Sequence, residues 1–340
     1  MFALNQWYVA GFEWEFQERP IARTFLNQPV VLFRTGEGTI AALEDRCCHR
    51  SLPLSSGTLE ERGLRCGYHG LLYAPSGLCL EIPGQEKIPA RACVRPYTVS
   101  VRNQIVWIWM PSEPGGQPDC DAPEYAVHDD PRYRYRGDVY HYDAPYQLIH
   151  DNLLDLSHLG YVHLRTIGGN AKIHMHAETK VEEQGNVVRV LRYMPSSEPP
   201  PTYTAAWRFD GLIDRWQEIE FDLSHLRIWT GANDAGAGSM RDAGRGGFHM
   251  RGFHGVTPET DVSTHYFWTV AANRHPDMPD MMDTVYEQSA LTFEEDKVVI
   301  EAQYRNMLQF QHAPQIDIHV DVGPNRARRI IERLIRETAG

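Results

Sequence analysis

Two short Cys/His motifs constrain the fold of this chain more than any other feature. The first is Cys47-Cys48-His49 and the second is Cys66-Gly67-Tyr68-His69. Each motif places one thiolate and one imidazole on a short loop, and the stretch between them suits one β-hairpin. Together they predict a Cys₂His₂ metal cage built on β-structure.

The order of these ligands indicates which metal centre the cage holds. A zinc finger usually pairs Cys with Cys in one half and His with His in the other. Here each half carries one of each, as expected when two thiolates bind one iron and two imidazoles bind a second iron. The pattern predicts a Rieske-type [2Fe–2S] cluster held by Cys47, His49, Cys66 and His69. A structural zinc site is the alternative.

Length and composition restrict the class of protein further. The 340 residues suffice for two domains with cores, and the net charge of −12 argues against a nucleic-acid partner. We see no apolar run of about 18 residues and no secretory signal, so we predict a cytoplasmic protein without a membrane anchor. Of the six cysteines, the four outside the cage are expected to be reduced and mostly buried.

The first third of the chain is typical of a small antiparallel β-sandwich. Short apolar runs alternate with Gly and Pro turns, and a Pro/Gly-rich stretch at 111–118 marks the expected boundary. The division is therefore predicted as 1–115 and 116–340. In the second part, strand-like runs mix with helical segments, which predicts an α+β domain whose antiparallel sheet curls around a site. The runs in the first part are Val30–Arg34, Ile40–Leu43, Leu71–Tyr73 and Ile105–Trp109.

A second cluster of polar residues occupies 151–163. On one ideal helix Asp151, Asp155 and His158 share a face, whereas His163 lies about 140° around from His158. Both imidazoles reach one ion only if the helix is distorted or ends, and Gly160 is the expected break. Two His and one carboxylate are the ligands of non-haem Fe(II) sites that leave positions open for O₂.

The third ligand is expected from a long helix predicted near 284–310. Its apolar stripe encloses Asp296, while Glu294 and Glu295 fall progressively outside it. A buried carboxylate needs a partner, and a metal ion is one. We therefore predict Asp296 as the third ligand. A solvated acid near Lys297 or Arg305 is the alternative.

These motifs resemble those of the Rieske non-haem iron oxygenases. The resemblance rests on Cys47-x-His49, Cys66-x-x-His69 and Asp151-x₃-Asp155-x₂-His158-x₄-His163. It implies that His158, His163 and Asp296 bind Fe(II) and that Asn152 lies beside the iron. It also implies that Asp155 links one of these histidines to a cluster histidine of a neighbouring subunit. Within the family, the compact length and the segments around 151–155 and 295–297 are similar to vanillate O-demethylase, dicamba monooxygenase and toluenesulfonate methyl-monooxygenase.

The resemblance also implies the architecture and the partners. The expected fold is an N-terminal Rieske β-sandwich domain followed by a catalytic domain with a curved antiparallel sheet and flanking helices, similar to a helix-grip fold. The expected assembly is a head-to-tail homotrimer. A separate reductase, of flavin or ferredoxin type, would pass electrons from NAD(P)H, and the substrates would be O₂ and a small anionic aromatic compound.

The sequence offers only a few candidates for contacts with the substrate. His254 matches a polar substrate-contacting residue of the dicamba-type enzymes, and Arg251 or Arg227 could bind a carboxylate. A surface salt bridge is the alternative for each arginine. The pair His174 and His176 lacks a third ligand nearby and is expected on an exposed strand. The segment 326–336 predicts an amphipathic helix docked by its isoleucines and leucine.

Three functions compete at this point. A monooxygenase that demethylates or hydroxylates a methyl group is favoured by the resemblance. A dioxygenase that cis-dihydroxylates an aromatic ring would use the same metals. A Rieske electron carrier is the third alternative, and the candidate iron ligands argue against it because a carrier needs no open iron site.

Overall fold

The computed structural model describes residues 1–275 and 277–338. It forms two compact units, of which the first contains Met1–Glu124, Thr257–Asp261 and the chain from Leu334. The second contains Tyr125–Val256 and Val262–Arg333. The assignment of a Rieske domain to 1–115 and of a catalytic domain to 116–340 stays a prediction. The boundary between the two compact units lies after Glu124.

The first unit is built from three antiparallel sheets. Their orders are β1-β11-β10, β2-β3-β4-β9 and β5-β6-β7-β8. The strands are β1 Gln6–Phe12, β2 Ile21–Phe25, β3 Gln28–Arg34, β4 Ile40–Glu44, β5 Thr58–Glu60, β6 Gly63–Arg65, β7 Leu72–Tyr73, β8 Cys79–Glu81, β9 Pro96–Tyr97, β10 Val99–Arg102 and β11 Ile105–Met110. Each of the predicted apolar runs forms a strand.

Two apolar cores hold these sheets together. One lies around Phe16, Phe25 and Ile108, and its members include alternate residues of β3. The opposite face of β3 contributes Val31 and Phe33 to the second core, which also contains Cys47 and Cys66. The two thiols of the predicted cage are therefore part of a packed core, which fixes their positions.

The second unit is a seven-stranded antiparallel sheet with helices. The strand order is β12-β18-β17-β16-β15-β14-β13. The strands are β12 Tyr133–Tyr142, β13 Glu178–Gln184, β14 Val187–Ser197, β15 Ile213–Asp222, β16 His225–Asp234, β17 Phe248–Thr260 and β18 Ser263–Asn273. The helices are α1 Tyr146–Leu154, α2 Leu159–Val162, α3 Ala171–Met175, α4 Pro201–Ala206, α5 Met281–Gln309 and α6 Val322–Thr338. The predicted α+β class is confirmed.

Helix α5 confirms the long helix expected near 284–310. Its buried positions include Val285, Ser289, Thr292, Asp296 and Ile300, which recur every three or four residues. The hydroxyls of Ser289 and Thr292 donate to the carbonyls four residues earlier, at 2.7 and 2.8 Å. The predicted apolar stripe was partly wrong, because Val299 is 43% exposed and the buried face includes the polar Ser289 and Thr292. That stripe was predicted as Val285, Phe293, Val299, Ile300, Tyr304 and Met307.

Helix α6 confirms the amphipathic segment predicted at 326–336. Its buried side chains include Ala327, Ile330, Ile331 and Leu334. Within the described residues, none of the helices has both the length and the apolar character needed to cross a bilayer. Among the cysteines outside the cage, Cys79 is buried, but Cys93 and Cys120 are exposed, so the expectation that these thiols are mostly buried was wrong.

Candidate metal centres and substrate cavity

The two Cys/His motifs occupy loops of matching backbone geometry. The amide of Cys47 donates to Leu52 O at 2.8 Å, and the amide of Cys66 donates to Leu71 O at 2.8 Å. Each bond spans five residues and closes a turn that contains one motif. The Cys47 loop follows β4, and the Cys66 loop joins β6 to β7.

The four side chains are arranged asymmetrically. The thiols of Cys47 and Cys66 are buried, whereas the rings of His49 and His69 are exposed, with centroids 4.5 Å apart. A cluster with thiolates on the inner iron and imidazoles on the outer iron needs this separation of ligand types. The donor set therefore fits a Rieske [2Fe–2S] cluster.

The hydroxyl of Tyr73 lies against both adjacent thiols. Its oxygen is 3.2 Å from Cys47 Sγ and 3.1 Å from Cys48 Sγ, and it accepts from the Cys48 amide at 3.2 Å. Burial alone raises the pKa of Cys47, but hydrogen bonds from Tyr73 and the backbone outweigh burial and lower it. The pKa of Cys66 is raised, mainly by burial.

A second group of ligand atoms meets in the second unit. One atom each from His158, His163 and Asp296 lies within 4.8 Å of the others. Nε2 of His163 is 3.1 Å and Nε2 of His158 is 3.4 Å from Oδ1 of Asp296. Burial raises the pKa of Asp296, but the two histidines outweigh it and hold the pKa well below its ordinary value. The structure thus brings together the three residues predicted from distant parts of the chain.

The outer ring nitrogens of both histidines also have partners. Nδ1 of His158 lies 2.6 Å from the backbone oxygen of Asp155, and Nδ1 of His163 lies 2.7 Å from Oε2 of Glu295. When Nδ1 carries the proton in each ring, the Nε2 lone pair is free for a metal. The three donors, two neutral imidazoles and one carboxylate, fit a mononuclear non-haem iron.

The backbone break that permits this geometry is at Asp155. Helix α1 ends at Leu154, and the Asp155 side chain accepts from the Ser157 amide at 2.8 Å, which starts a 3₁₀ turn at Leu156–His158. The face expected to join Asp151, Asp155 and His158 therefore does not form. The expected break at Gly160 was also wrong.

Gly160 is required for close packing rather than for a break. It lies inside α2, and a Cβ atom there would collide with the backbone of Ala171 at the start of α3.

The side chain of Asn152, on α1, donates from Nδ2 to Asp296 Oδ1 at 2.9 Å. Asn152 therefore lies beside the three ligands, and the role of Asp155 between subunits stays a prediction.

One cavity includes all three candidate iron ligands in its wall. The surface of its wall is mostly apolar, and its other lining residues come from α1, the 3₁₀ turn and α2 that follow it, α4, α5 and the sheet. They include Leu153, Leu156, Ile167, Ile228, Met250 and Phe293. Apolar walls with few polar groups are typical of sites for small organic ligands.

His254 also lines this cavity. Its Nδ1 lies 2.6 Å from the hydroxyl of Tyr266, and burial lowers its pKa to about 3. The imidazole is therefore neutral near pH 7. Gly252 lies two residues earlier on the same face of β17, and an added Cβ there would lie 2.5 Å from Nε2 of His254.

The arginines considered for substrate binding lie elsewhere. The guanidinium carbon of Arg251 is 3.4 Å from the ring centroid of Trp229, and Arg227 pairs with Glu220 at 2.5 Å. Neither is among the residues that line the cavity. His174 lies on helix α3, is buried, and bonds to Gly168 O at 2.7 Å, so its placement on an exposed strand was wrong.

Sequence reasoning missed three residues at these sites. Glu295 was placed outside the buried stripe of α5, yet it contacts His163. Arg215 and Gln217 line the cavity from β15 and were not considered. The available signal was that both share a strand face with Ile213, Ile219 and Phe221, which leaves two polar side chains on an otherwise apolar face.

Comparisons with known proteins show which family the chain belongs to. The Rieske [2Fe-2S] domain family matches residues 6–97, and the vanillate O-demethylase oxygenase C-terminal domain family matches residues 142–337. The toluene-4-sulfonate monooxygenase system iron-sulfur subunit of Comamonas testosteroni is 37% identical over 100% of this chain and 99% of its own length. The vanillate O-demethylase oxygenase subunit of a Pseudomonas strain is 35% identical over 98% of this chain and 95% of its own length.

A solved structure has the same fold. The crystal structure of dicamba monooxygenase with non-heme iron and dicamba covers 99% of this chain and 98% of that chain, with 31% identity and a TM-score of 0.84. The matched family is a Rieske [2Fe-2S] domain, and the dicamba monooxygenase structure holds non-heme iron. The chain is an oxidoreductase and belongs to the Rieske non-haem iron oxygenases, as an oxygenase component with a C-terminal domain of the vanillate O-demethylase type.

Proposed function

We propose that this chain oxygenates a methyl carbon of a small anionic aromatic compound, by O-demethylation or methyl hydroxylation. The observation that carries the proposal is the convergence of His158, His163 and Asp296 within 4.8 Å in the wall of an apolar cavity. Electrons would come from NAD(P)H through a separate flavin- or ferredoxin-type reductase. Vanillate and toluene-4-sulfonate, named in two relatives, each carry an anionic group and a methyl carbon.

The metals would be held by residues of both units. Cys47, His49, Cys66 and His69 would hold the [2Fe–2S] cluster, and His158, His163 and Asp296 the iron. When bound, the cluster delivers single electrons and the Fe(II) supplies the chemistry that activates O₂.

The chain's own groups orient the ligands and keep water away. The Asp155 carbonyl and Glu295 accept the Nδ1 protons of the two histidines, so that both Nε2 atoms face Asp296. Asn152 donates to Asp296 and fixes the orientation of its carboxylate. The apolar walls exclude bulk water from the place where a substrate methyl group would lie.

The overall reaction balances for a methoxy substrate. O₂, two electrons and two protons convert the O–CH₃ group into O–CH₂OH and one water. The resulting hemiacetal collapses to a phenol and formaldehyde. A methyl group attached directly to the ring would instead yield a stable benzylic alcohol.

We also propose the assembly and the location implied by the family resemblance. The chain would form a head-to-tail homotrimer in the cytoplasm, in which Asp155 links an iron ligand of one subunit to a cluster histidine of the next. Mixing a Cys66→Ala chain with a His158→Ala chain, each inactive alone, tests this arrangement. Recovered activity after subunit exchange supports transfer between subunits, and no recovery argues against it.

A single-turnover experiment tests the activity without the native reductase. The metal-replete protein is reduced anaerobically with dithionite and mixed with O₂ and either 4-methoxybenzoate or 4-methylbenzenesulfonate. Formaldehyde or a benzylic alcohol supports the proposal. A ring cis-diol supports the dioxygenase alternative, and reversible cluster reduction without any product across a wider arene panel supports the electron carrier.

A further inference from the structure

We propose that Arg215, together with Gln217, binds the anionic group of the substrate as a carboxylate or a sulfonate. The inference rests on the proposed function and names a specificity-determining contact for it. It replaces Arg251 and Arg227 as the candidates for this role.

Arg215 reaches the cavity from the middle of the sheet. Residues alternate between the two faces of β15, so Arg215 and Gln217 lie on the same face. Both line the cavity that contains the candidate iron ligands, and Arg215 is only 2% exposed. The guanidinium is thus fixed in an apolar space that a small aromatic molecule would share with the iron.

The hydrogen-bonding capacity of Arg215 is largely unused. Its Nη2 donates to Ile167 O at 2.9 Å, and its Nε is buried without a hydrogen-bond partner in the described part of the chain. Among the described residues, no carboxylate lies within 4.0 Å of its guanidinium nitrogens. A buried cation without an opposite charge is costly, and a bound anion would remove that cost.

A second buried guanidinium, that of Arg192, increases the positive charge beside Gln217. Arg192 donates from Nη1 to Gln217 Oε1 at 2.9 Å and from Nη2 to His174 O at 2.8 Å. Burial lowers the pKa of Arg192 to about 10, with Asp155 opposing the shift and Arg215 adding to it. The contact recorded for the Arg215 guanidinium is the ring of Tyr203, whose centroid is 4.9 Å from its central carbon, so a face of this cation is covered but no acid pairs with it among the described residues.

Gln217 supplies an oriented amide beside Arg215. Because its Oε1 accepts from Arg192, its Nε2 points the other way and donates to no described residue. Its cross-strand neighbour is Thr230, whose hydroxyl bonds to that of Tyr203. A guanidinium fork and an adjacent amide match the oxygen geometry of a carboxylate or a sulfonate.

Binding to matched pairs of probes tests the inference. The metal-replete protein is titrated calorimetrically without O₂, with 4-methoxybenzoate against 4-methoxybenzamide and 4-methylbenzenesulfonate against 4-methylbenzenesulfonamide. At least one anion should bind about tenfold or more tightly than its neutral partner. The pair with the larger ratio identifies carboxylate or sulfonate as the preferred group. Arg215→Gln should reduce that ratio to about threefold or less while the neutral probe binds as before.

Two further variants keep the result independent of folding defects. Gln217→Glu preserves shape and places a carboxylate beside Arg215, so it should also abolish the preference for the anion. Arg251→Gln tests whether Arg251 binds the anionic group instead. If the preference for the anionic probe is lost in Arg251→Gln but kept in Arg215→Gln, the role proposed for Arg215 is overturned. Equal binding of anion and neutral probe by the wild type, or no binding of any probe, also overturns it.

Two outcomes distinguish a failure of this inference from a failure of the proposed function. Formaldehyde released equally from 4-methoxybenzoate and 4-methoxybenzamide would support the oxygenase and overturn the role of Arg215. A preference for anions that depends on Arg215, without oxygenation of any probe, would support this inference and contradict the proposed activity.

Discussion

Oε2 of Glu295 lies 2.7 Å from Nδ1 of His163, the ring whose Nε2 faces Asp296. His163 is fully buried, and Glu295 is partly exposed. Burial alone lowers the pKa of His163, but the two carboxylates outweigh burial and raise it. Glu295 therefore sets both the orientation of the ring and the position of its proton.

Replacing Glu295 should weaken iron binding without changing the fold. Glu295→Gln keeps the shape but removes the charge that holds the Nδ1 proton, and we expect iron affinity to fall about 10- to 100-fold. Competition with a chromophoric chelator measures this directly. Glu294→Gln, at the exposed position beside it, is the matched control. Equal affinities in the two variants would show that Glu295 does not support the ligand.

Removing the Tyr73 hydroxyl should lower the reduction potential of the cluster. The hydroxyl lies 3.2 Å from Cys47 Sγ, and a hydrogen bond to a thiolate favours the more negative, reduced state. For Tyr73→Phe we expect a decrease of about 40 mV for each 1 kcal/mol of hydrogen-bond energy lost. Redox titration followed by EPR gives the value. Tyr68→Phe removes an exposed hydroxyl from the Cys66 loop and should leave the potential unchanged.

Adding one methyl group at Gly252 should disturb the cavity. The new Cβ would lie 2.5 Å from Nε2 of His254, so the ring must shift or the strand must move. Such overpacking costs about 1–3 kcal/mol, and we expect Gly252→Ala to lower kcat/KM at least about fivefold. Gly211→Ala adds the same group in open space and is the control. Unchanged kcat/KM in Gly252→Ala would remove His254 from the substrate site.

His150 should make the protein sensitive to acid. Burial lowers its pKa from 6.5 to about 3, and both ring nitrogens lack a hydrogen-bond partner in the described part of the chain. The unfolded chain then takes up a proton below about pH 6.5, so stability is complete above that pH and falls toward pH 3. At pH 5.5 this effect amounts to about 1 kcal/mol.

Replacing His150 by Phe, whose ring has no titrating nitrogen, tests this effect on acid stability. In His150→Phe the loss of Tm between pH 7.5 and pH 5.5 should be smaller than in the wild type. The exposed His176→Gln serves as the control, because its side chain is solvated in both the folded and the unfolded state. An equal loss of Tm in all three proteins would contradict the link between His150 and acid sensitivity.

Local motifs made much of this structure predictable from sequence. The cage depends on two loops in which ligand spacing and turn are set by neighbouring residues, so its four side chains could be named together. Asp296 was identifiable because a single acid fell within the apolar stripe of a long helix. The strands with continuous apolar residues, such as β11, were equally clear.

Contacts between distant segments were not predictable in the same way. The chain leaves helical geometry at Asp155 because its side chain caps the next turn, whereas the conformational freedom of glycine pointed to Gly160. Glu295 contacts His163 through tertiary packing, although its position on the helix lies outside the apolar stripe. Arg215 became visible only when the sheet placed β15 beside the candidate iron ligands.

We infer that one chain carries two separate iron centres. The iron content per chain, measured together with the EPR spectrum of the reduced protein, distinguishes two centres from one. We predict about three irons and a Rieske signal in the wild type, and about two irons with the signal retained in the variant His158→Ala/His163→Ala. Two irons in both proteins after metal-replete growth, or zinc in place of iron, would contradict the claim.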